Sequence, residues 1–133
     1  MNLLTRNTDY AVRALIYMAG KVPARVSARD IGRDLGLPGP FMRKTLQVLQ
    51  KAGYLISTKG KSGGFELAQD TKKIRLVDLV TLFQGPVSMG DCLFKKKICS
   101  GIKSCPLRRE ILDIEALVLE RLQGVTVASL IKG

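Results

Sequence analysis

Apolar residues recur at helical spacing early in the chain, at a spacing of two in its middle and at helical spacing again toward its end. Ala11, Ala14, Leu15 and Met18 predict a helix over 8–19, with Asn7 or Thr8 as its cap and Gly20 as its stop. A short second helix follows. Ser27-Ala28-Arg29-Asp30 reads as a capping box with Asp in the place of Glu, and Ala28, Ile31 and Leu35 form the inner face. Gly36 ends this helix, and Leu37-Pro38-Gly39-Pro40 makes a turn in which Pro40 suits the first turn of a new helix. The third helix runs from Phe41 to Ala52 and stops at Gly53. Met42, Leu46 and Leu49 supply its apolar stripe, which leaves Arg43, Lys44, Gln47 and Lys51 on its other faces.

The period then changes to two. Tyr54–Thr58 reads as a strand, residues 59–64 as a turn rich in glycine and lysine, and Phe65–Ala68 as the return strand. A hairpin with a basic tip directly after a helix-turn-helix pattern is a wing. A further helix is predicted over 75–84, ended by Gly85-Pro86. Residues 86–104 are irregular. Pro106 then opens a long helix to about Gln123, in which Leu107, Ile111, Ile114, Val118, Leu122 and Val125 alternate spacings of four and three, as in a coiled-coil seam. Leu112, Leu117 and Leu119 widen the apolar surface beyond what one small domain needs, and Thr126 to Gly133 reads as a short apolar tail. The expected fold is mostly α with a small β-hairpin wing. Residues 1–85 form a winged helix-turn-helix DNA-binding domain, residues 86–105 a cysteine loop, and residues 106–133 a dimerisation helix and tail.

Charge sharpens this picture. The 133 residues carry 22 Lys and Arg against 11 Asp and Glu, a formal net charge of +11. A folded domain this basic usually meets a polyanion, with nucleic acid first among them. The excess is spread along the chain, so pattern rather than charge must localise the site. No apolar run approaches the ~20 residues of a membrane span, and the N-terminus lacks the apolar core of a signal peptide; the expectation is a cytoplasmic protein. No histidine exists to act as a base, and no nucleophile motif or phosphate loop is present. The expectation is a binding protein, not an enzyme.

The second helix of a helix-turn-helix lies in the major groove and presents its early residues to base edges. Here those are Phe41, Arg43, Lys44 and Gln47, with Lys51 on the same helix. Arg and Lys donate to guanine O6 and N7, and Gln pairs with adenine. Ser27, Arg29 and Arg33 on the preceding helix are placed for phosphates. Lys59 and Lys61 at the wing tip would reach the neighbouring minor groove or backbone. Singly, each of these cations could be an ordinary solvated side chain; a wing tip with two lysines among three glycines has no core role.

All three cysteines fall within one loop, as Cys92-x6-Cys99-x5-Cys105. Thiolates are soft ligands that suit zinc, copper(I) and iron–sulfur clusters. Structural zinc usually shows paired Cys arms two to four residues apart and a tetrahedral set of four, and no such arm exists here. Wide gaps in a glycine-bearing loop fit a cluster better than one ion. A redox thiol switch is the next reading and zinc the third.

Together these residues resemble the Rrf-two-type winged-helix repressors, in particular the cluster-binding branch that holds iron–sulfur cluster regulators, nitric-oxide-sensitive repressors and rhizobial iron regulators. Thr8-Asp9-Tyr10-Ala11-Val12-Arg13 is similar to the family's opening helix, Leu46 through Gly53 and the Gly60…Gly63-Gly64-Phe65 wing to its winged helix-turn-helix, and the three cysteines to its cluster loop. The resemblance implies a homodimer joined through the helix at 106–123. It implies double-stranded DNA with a pseudo-palindromic operator as partner, and a cluster, 2Fe–2S or 4Fe–4S, whose state alters DNA affinity. In one branch the fourth ligand is a histidine three residues past the last cysteine; Arg108 stands there in this chain. In another it is an aspartate in the first helix of the partner subunit, and Asp9 occupies the matching place. Asp9 equally suits the first turn of a helix, where the dipole favours an acid. Arg43 stands where the iron–sulfur cluster regulators carry an acidic residue, which implies a different operator sequence. The alternative within the same family is a cluster-free regulator controlled by thiol oxidation or by a partner protein.

Overall fold

A computed structural model describes residues 3–61, 63–88 and 105–132. The first helix, α1 (Arg6–Ala19), starts two residues before its apolar pattern does. Its cap is Thr5, whose hydroxyl accepts from the Thr8 N–H at 3.4 Å. The expected caps, Asn7 and Thr8, lie inside the helix, because Arg6 and Asn7 are polar and leave no apolar trace of the first turn. Ala11, Ala14, Leu15 and Met18 are all buried, as their spacing predicts.

The Ser27 hydroxyl accepts from the Asp30 N–H at 3.0 Å and caps α2 (Ala28–Leu35), and Gly36 closes that helix in the left-handed conformation at φ 68°. Three residues later α3 (Gly39–Lys51) begins. The turn is tight: the Leu37 N–H reaches back to the Gly32 carbonyl at 2.8 Å, and a side chain at Gly32 would crowd the Leu37 carbonyl. The buried side of α3 is Met42, Leu46 and Leu49, joined by Thr45, whose hydroxyl donates to the Phe41 carbonyl at 2.9 Å.

Two strands follow, β1 (Leu55–Thr58) and β2 (Gly64–Leu67), paired antiparallel with Leu55 opposite Leu67 and Thr58 opposite Gly64. The first strand starts one residue later than expected, without Tyr54, and the second lies one residue earlier, taking in Gly64 from the expected turn and leaving Ala68 outside. A third segment joins them. Val26 and Phe65 exchange two backbone hydrogen bonds, at 3.0 and 2.7 Å, which ties the base of the wing to the residue just before the cap of α2. Arg25 and Glu66 face each other across the same junction at 3.7 Å.

A single 3-10 turn (Thr71–Lys73) leads to α4 (Leu76–Gln84), which buries Val77, Leu79 and Val80. The long helix is α5 (Pro106–Gln123), with Cys105 at its cap position. Of the seam read from its sequence, Leu122 is buried, while Leu107 and Ile114 stand exposed and Ile111, Val118 and Val125 are half-covered. The helix leans on α4, and Leu107 and Leu117, each 64% exposed, stand on its surface, as does Leu112 on another face. The expected apolar tail is a sixth helix, α6 (Val127–Lys132), which packs on α1 and the 3-10 turn and buries Val127 in the core.

The wing yields a test. A Cβ on Gly64, at φ 156°, would stand 2.8 Å from the Val26 carbonyl oxygen, so Gly64→Ala should break the Val26–Phe65 pairing at a cost of about 1–3 kcal/mol. Thermal unfolding reads the loss, and an unchanged melting temperature would show that the wing does not lean on Val26.

Candidate nucleic-acid interface

A groove runs between α2 and α3. It is lined by Arg29, Arg33, Arg43, Lys44 and Gln47, with Gly32, Gly36 and Gly39 forming its floor. The two helices are held in this relation by apolar contact beneath, Ile31 of α2 with Met42 and Leu46 of α3 in one buried cluster. Their polar residues therefore project from one surface. Five of the residues expected to touch DNA line this one groove. Phe41, 55% exposed at the start of α3, is a large apolar side chain left uncovered. Lys51 is exposed at the far end of the same helix, and Lys59 and Lys61 are exposed at the wing tip.

Two of these residues already have partners. The Ser27 hydroxyl oxygen accepts the capping bond of α2, and its own proton remains to donate. The Arg33 guanidinium meets two carboxylates, Nε to Asp34 at 3.2 Å and Nη2 to Asp30 at 3.4 Å. Asp34 also accepts from the Tyr17 hydroxyl of α1, and the Lys21 ammonium lies 5.4 Å from the centre of the Tyr17 ring. The hydrogen bond with Tyr17, and then that with Arg33, hold the Asp34 carboxyl below the usual carboxylate range. The same bond with Asp34 pushes the Tyr17 phenol up, and Asp34 raises Arg33 in turn. This network was not legible in the sequence: Tyr17 and Asp34 lie 17 residues apart on different helices, and nothing in either local pattern pairs them.

Of the expected cluster ligands, Cys92 and Cys99 lie outside the described residues. Cys105 is half-buried with a free thiol at the cap of α5. Asp9 is on the surface of α1, where its carboxylate accepts from Arg13 Nε at 2.9 and 3.1 Å. Among the described residues, no three His, Cys, Asp or Glu side chains come together as a metal site.

The N-terminus of α1 carries a polar clasp that sequence reasoning missed. The Gln84 side-chain carbonyl accepts from the Thr5 N–H at 2.9 Å and from the Thr8 hydroxyl at 2.8 Å, and its amide donates to the Leu3 carbonyl at 3.1 Å. The only hint was Thr8 itself, a polar residue standing where the helix turns inward.

Comparison with known proteins gives one answer. A family model described as Rrf2, iron-dependent transcriptional regulator, matches residues 4–133. Protein aau3 of Rhizobium meliloti (strain 1021) is 32% identical over 130 residues, covering 97% of this chain and 84% of that protein. Two solved structures share the fold. CymR (YrzC), the global cysteine regulator of B. subtilis, superposes with a TM-score of 0.80 at 22% identity over 99% of this chain and 98% of that one. IscR of T. potens superposes with a TM-score of 0.75 at 22% identity over 98% and 87%. Among the described residues, no helix is long and apolar enough to cross a membrane. The winged-helix architecture and the regulatory, non-enzymatic class expected from the sequence both agree with these matches, and the chain belongs to the Rrf2 family of iron-dependent transcriptional regulators.

Proposed function

We propose that this regulator is a cytoplasmic homodimeric repressor that reads a pseudo-palindromic operator and senses iron–sulfur status, nitric oxide or redox state through a cluster on Cys92, Cys99 and Cys105. The groove between α2 and α3 carries the DNA part of this reading, because it gathers Arg29, Arg33, Arg43, Lys44 and Gln47 on one surface. Arg43, Lys44 and Gln47, with Phe41 beside them, read base edges. Ser27, Arg29, Arg33, Lys51 and the wing lysines Lys59 and Lys61 hold phosphates, which set affinity and its salt dependence.

The uncovered side of α5 supports the dimer. Leu107, Ile114 and Leu117 are exposed on neighbouring faces of the helix, an apolar patch that water does not favour and that a second α5 would cover. Two recognition helices joined in this way reach successive major grooves, ~34–36 Å apart.

The donor set suits an iron–sulfur cluster: three soft thiolates, with Asp9 of the partner subunit as a harder fourth ligand. When bound, the cluster supplies a centre that oxygen, nitric oxide or iron loss can attack. Cys105 would anchor it at the start of α5, where a helix N-terminus favours negative charge. Asp9 would exchange its bond with Arg13 for the ligand position. Cys92, Cys99 and Cys105 of one subunit together with Asp9 of the partner subunit would hold the cluster, so that ligand loss at either would free the two subunits to change their relative angle. The alternative, a cluster-free regulator controlled by thiol oxidation or by a partner protein, keeps the same DNA surface and is supported by the free, half-exposed Cys105 thiol.

Two measurements test this. Protein purified without oxygen should be brown, contain iron and sulfide, lose colour in Cys99→Ala, and change its affinity for DNA when the cluster is removed. Colourless protein that takes up no iron on reconstitution would leave the thiol or partner-protein reading. Leu117→Glu should turn the dimer into a folded monomer in light scattering and weaken operator binding at least tenfold; a dimer that survives it would mean that α5 is not the seam.

A further inference from the structure

Asp34 poses a problem for a DNA-binding surface. It is a carboxylate beside the groove that faces phosphates, and with Asp30 it sets two negative charges against the single positive charge of Arg33. Simple electrostatics would remove it. Its contacts give it another use. Tyr17 belongs to α1, and its ring is partly buried against the hydrophobic core, which anchors the side chain while its hydroxyl reaches the surface. From there the chain of contacts runs outward: Tyr17 hydroxyl to one Asp34 oxygen, the other Asp34 oxygen to Arg33 Nε at 3.2 Å. Arg33 Nη2 adds Asp30 Oδ1 at 3.4 Å.

We propose that Tyr17 and Asp34 are positioning residues for DNA binding, which fix the exposed Arg33 guanidinium at the α2–α3 groove so that its remaining N–H groups meet a phosphate. A guanidinium offers five N–H donors in a rigid fork. Asp34 engages the one on Nε and Asp30 one edge of the Nη2 group, and the rest stay open. Arg33 is 69% exposed in its side chain, and a long side chain that exposed normally samples many rotamers, whose freedom is lost on binding. Holding it beforehand reduces that loss. The carboxylate keeps its charge, which the hydrogen bonds from Tyr17 and Arg33 favour, so its repulsion of a phosphate opposes the gain from holding Arg33, and on this proposal positioning outweighs it. The Lys21 ammonium near the Tyr17 ring adds a further cation at the α1 end. This inference rests on the groove being the DNA surface.

The two possible roles of Asp34 predict opposite signs. Binding of the full-length dimer to a fluorescent duplex of random sequence is measured by anisotropy across a salt series, for wild type, Asp34→Asn, Tyr17→Phe, Arg33→Ala and the two doubles with Arg33→Ala. Positioning predicts that Asp34→Asn, although it removes a negative charge, binds about three- to tenfold more weakly. Tyr17→Phe, which changes no charge, should do the same. The slope of log affinity against log salt should flatten toward that of Arg33→Ala, which lacks one phosphate contact, worth ~0.9 in slope. In the Arg33→Ala background neither change should weaken binding further, and Asp34→Asn, which then only removes a negative charge, should leave it equal or tighter. Tighter or unchanged binding by Asp34→Asn overturns the proposal, as does a loss that persists without Arg33, since the pair would then act through the fold. Tyr17→Phe decides the matter if Asp34→Asn melts early. Wild-type protein that shows no salt-dependent binding to the duplex would overturn the groove as DNA surface, a failure distinct from that of the positioning pair.

Discussion

The buried stripe of α1 is the contact on which the other elements rest. Ala11, Ala14, Leu15 and Met18 are fully or almost fully covered, and α2, α3, α4, α6 and β2 all touch this helix. Two of the four are alanines. Their small side chains let neighbouring helices approach closely, and Leu15 and Met18 fill the space between. Burying a leucine or methionine is worth about 1.5–3 kcal/mol, so this one stripe is a large part of what holds five elements in place. The orientation of α3 follows from it, since that helix is set by Met42, Leu46 and Leu49 against the same core.

Polar ties finish what the apolar core begins. The core fixes which elements touch but resists sliding along its own surface only weakly, because apolar burial has no direction. Directional bonds remove that freedom at three places. The Val26–Phe65 pairing seats the wing beside α2. The Gln84 clasp joins the end of α4 to the start of α1. The Tyr17–Asp34 bond joins the last turn of α1 to the last turn of α2. Buried polar groups need such partners, and Thr8, fully covered in α1, has one in Gln84.

Much of this architecture was written in local sequence. Helical spacing located α1 to α5, Ser27 and Gly36 marked the ends of α2, and the alternation around residues 55–67 marked the wing. Arg29, Arg33, Arg43 and Lys44 lie together at the groove for the same reason that the apolar stripe of α3 was legible: a helix that buries one side must expose the other. What sequence left unread depends on contacts between distant residues. Thr5 as the cap of α1 follows a turn without apolar residues. Thr126 to Gly133 reads as a tail because the six residues of α6 are too few for a periodic signal, and the helix there exists through packing on α1 and the 3-10 turn. That Leu122 of the α5 seam is buried while Leu107 and Ile114 on the same stripe stay exposed depends on where α4 lies. Asp9 could be read as a ligand or as a helix-start acid, and its bond to Arg13, at the spacing of i to i+4, is a third role that the sequence permits without demanding.

The return of the chain after α5 has a mechanical consequence. Leu76 donates to the Val125 carbonyl at 2.8 Å and Val127 to that of Ile74 at 2.9 Å, so the end of α5 is stitched to the start of α4 while α6 is sunk against α1. The long helix is thus no loose arm: its C-terminal end shares a rigid joint with the helices that carry the α2–α3 groove. A joint of this kind passes a displacement of α5 on to the groove instead of absorbing it, so whatever pushes on the long helix also moves the basic surface.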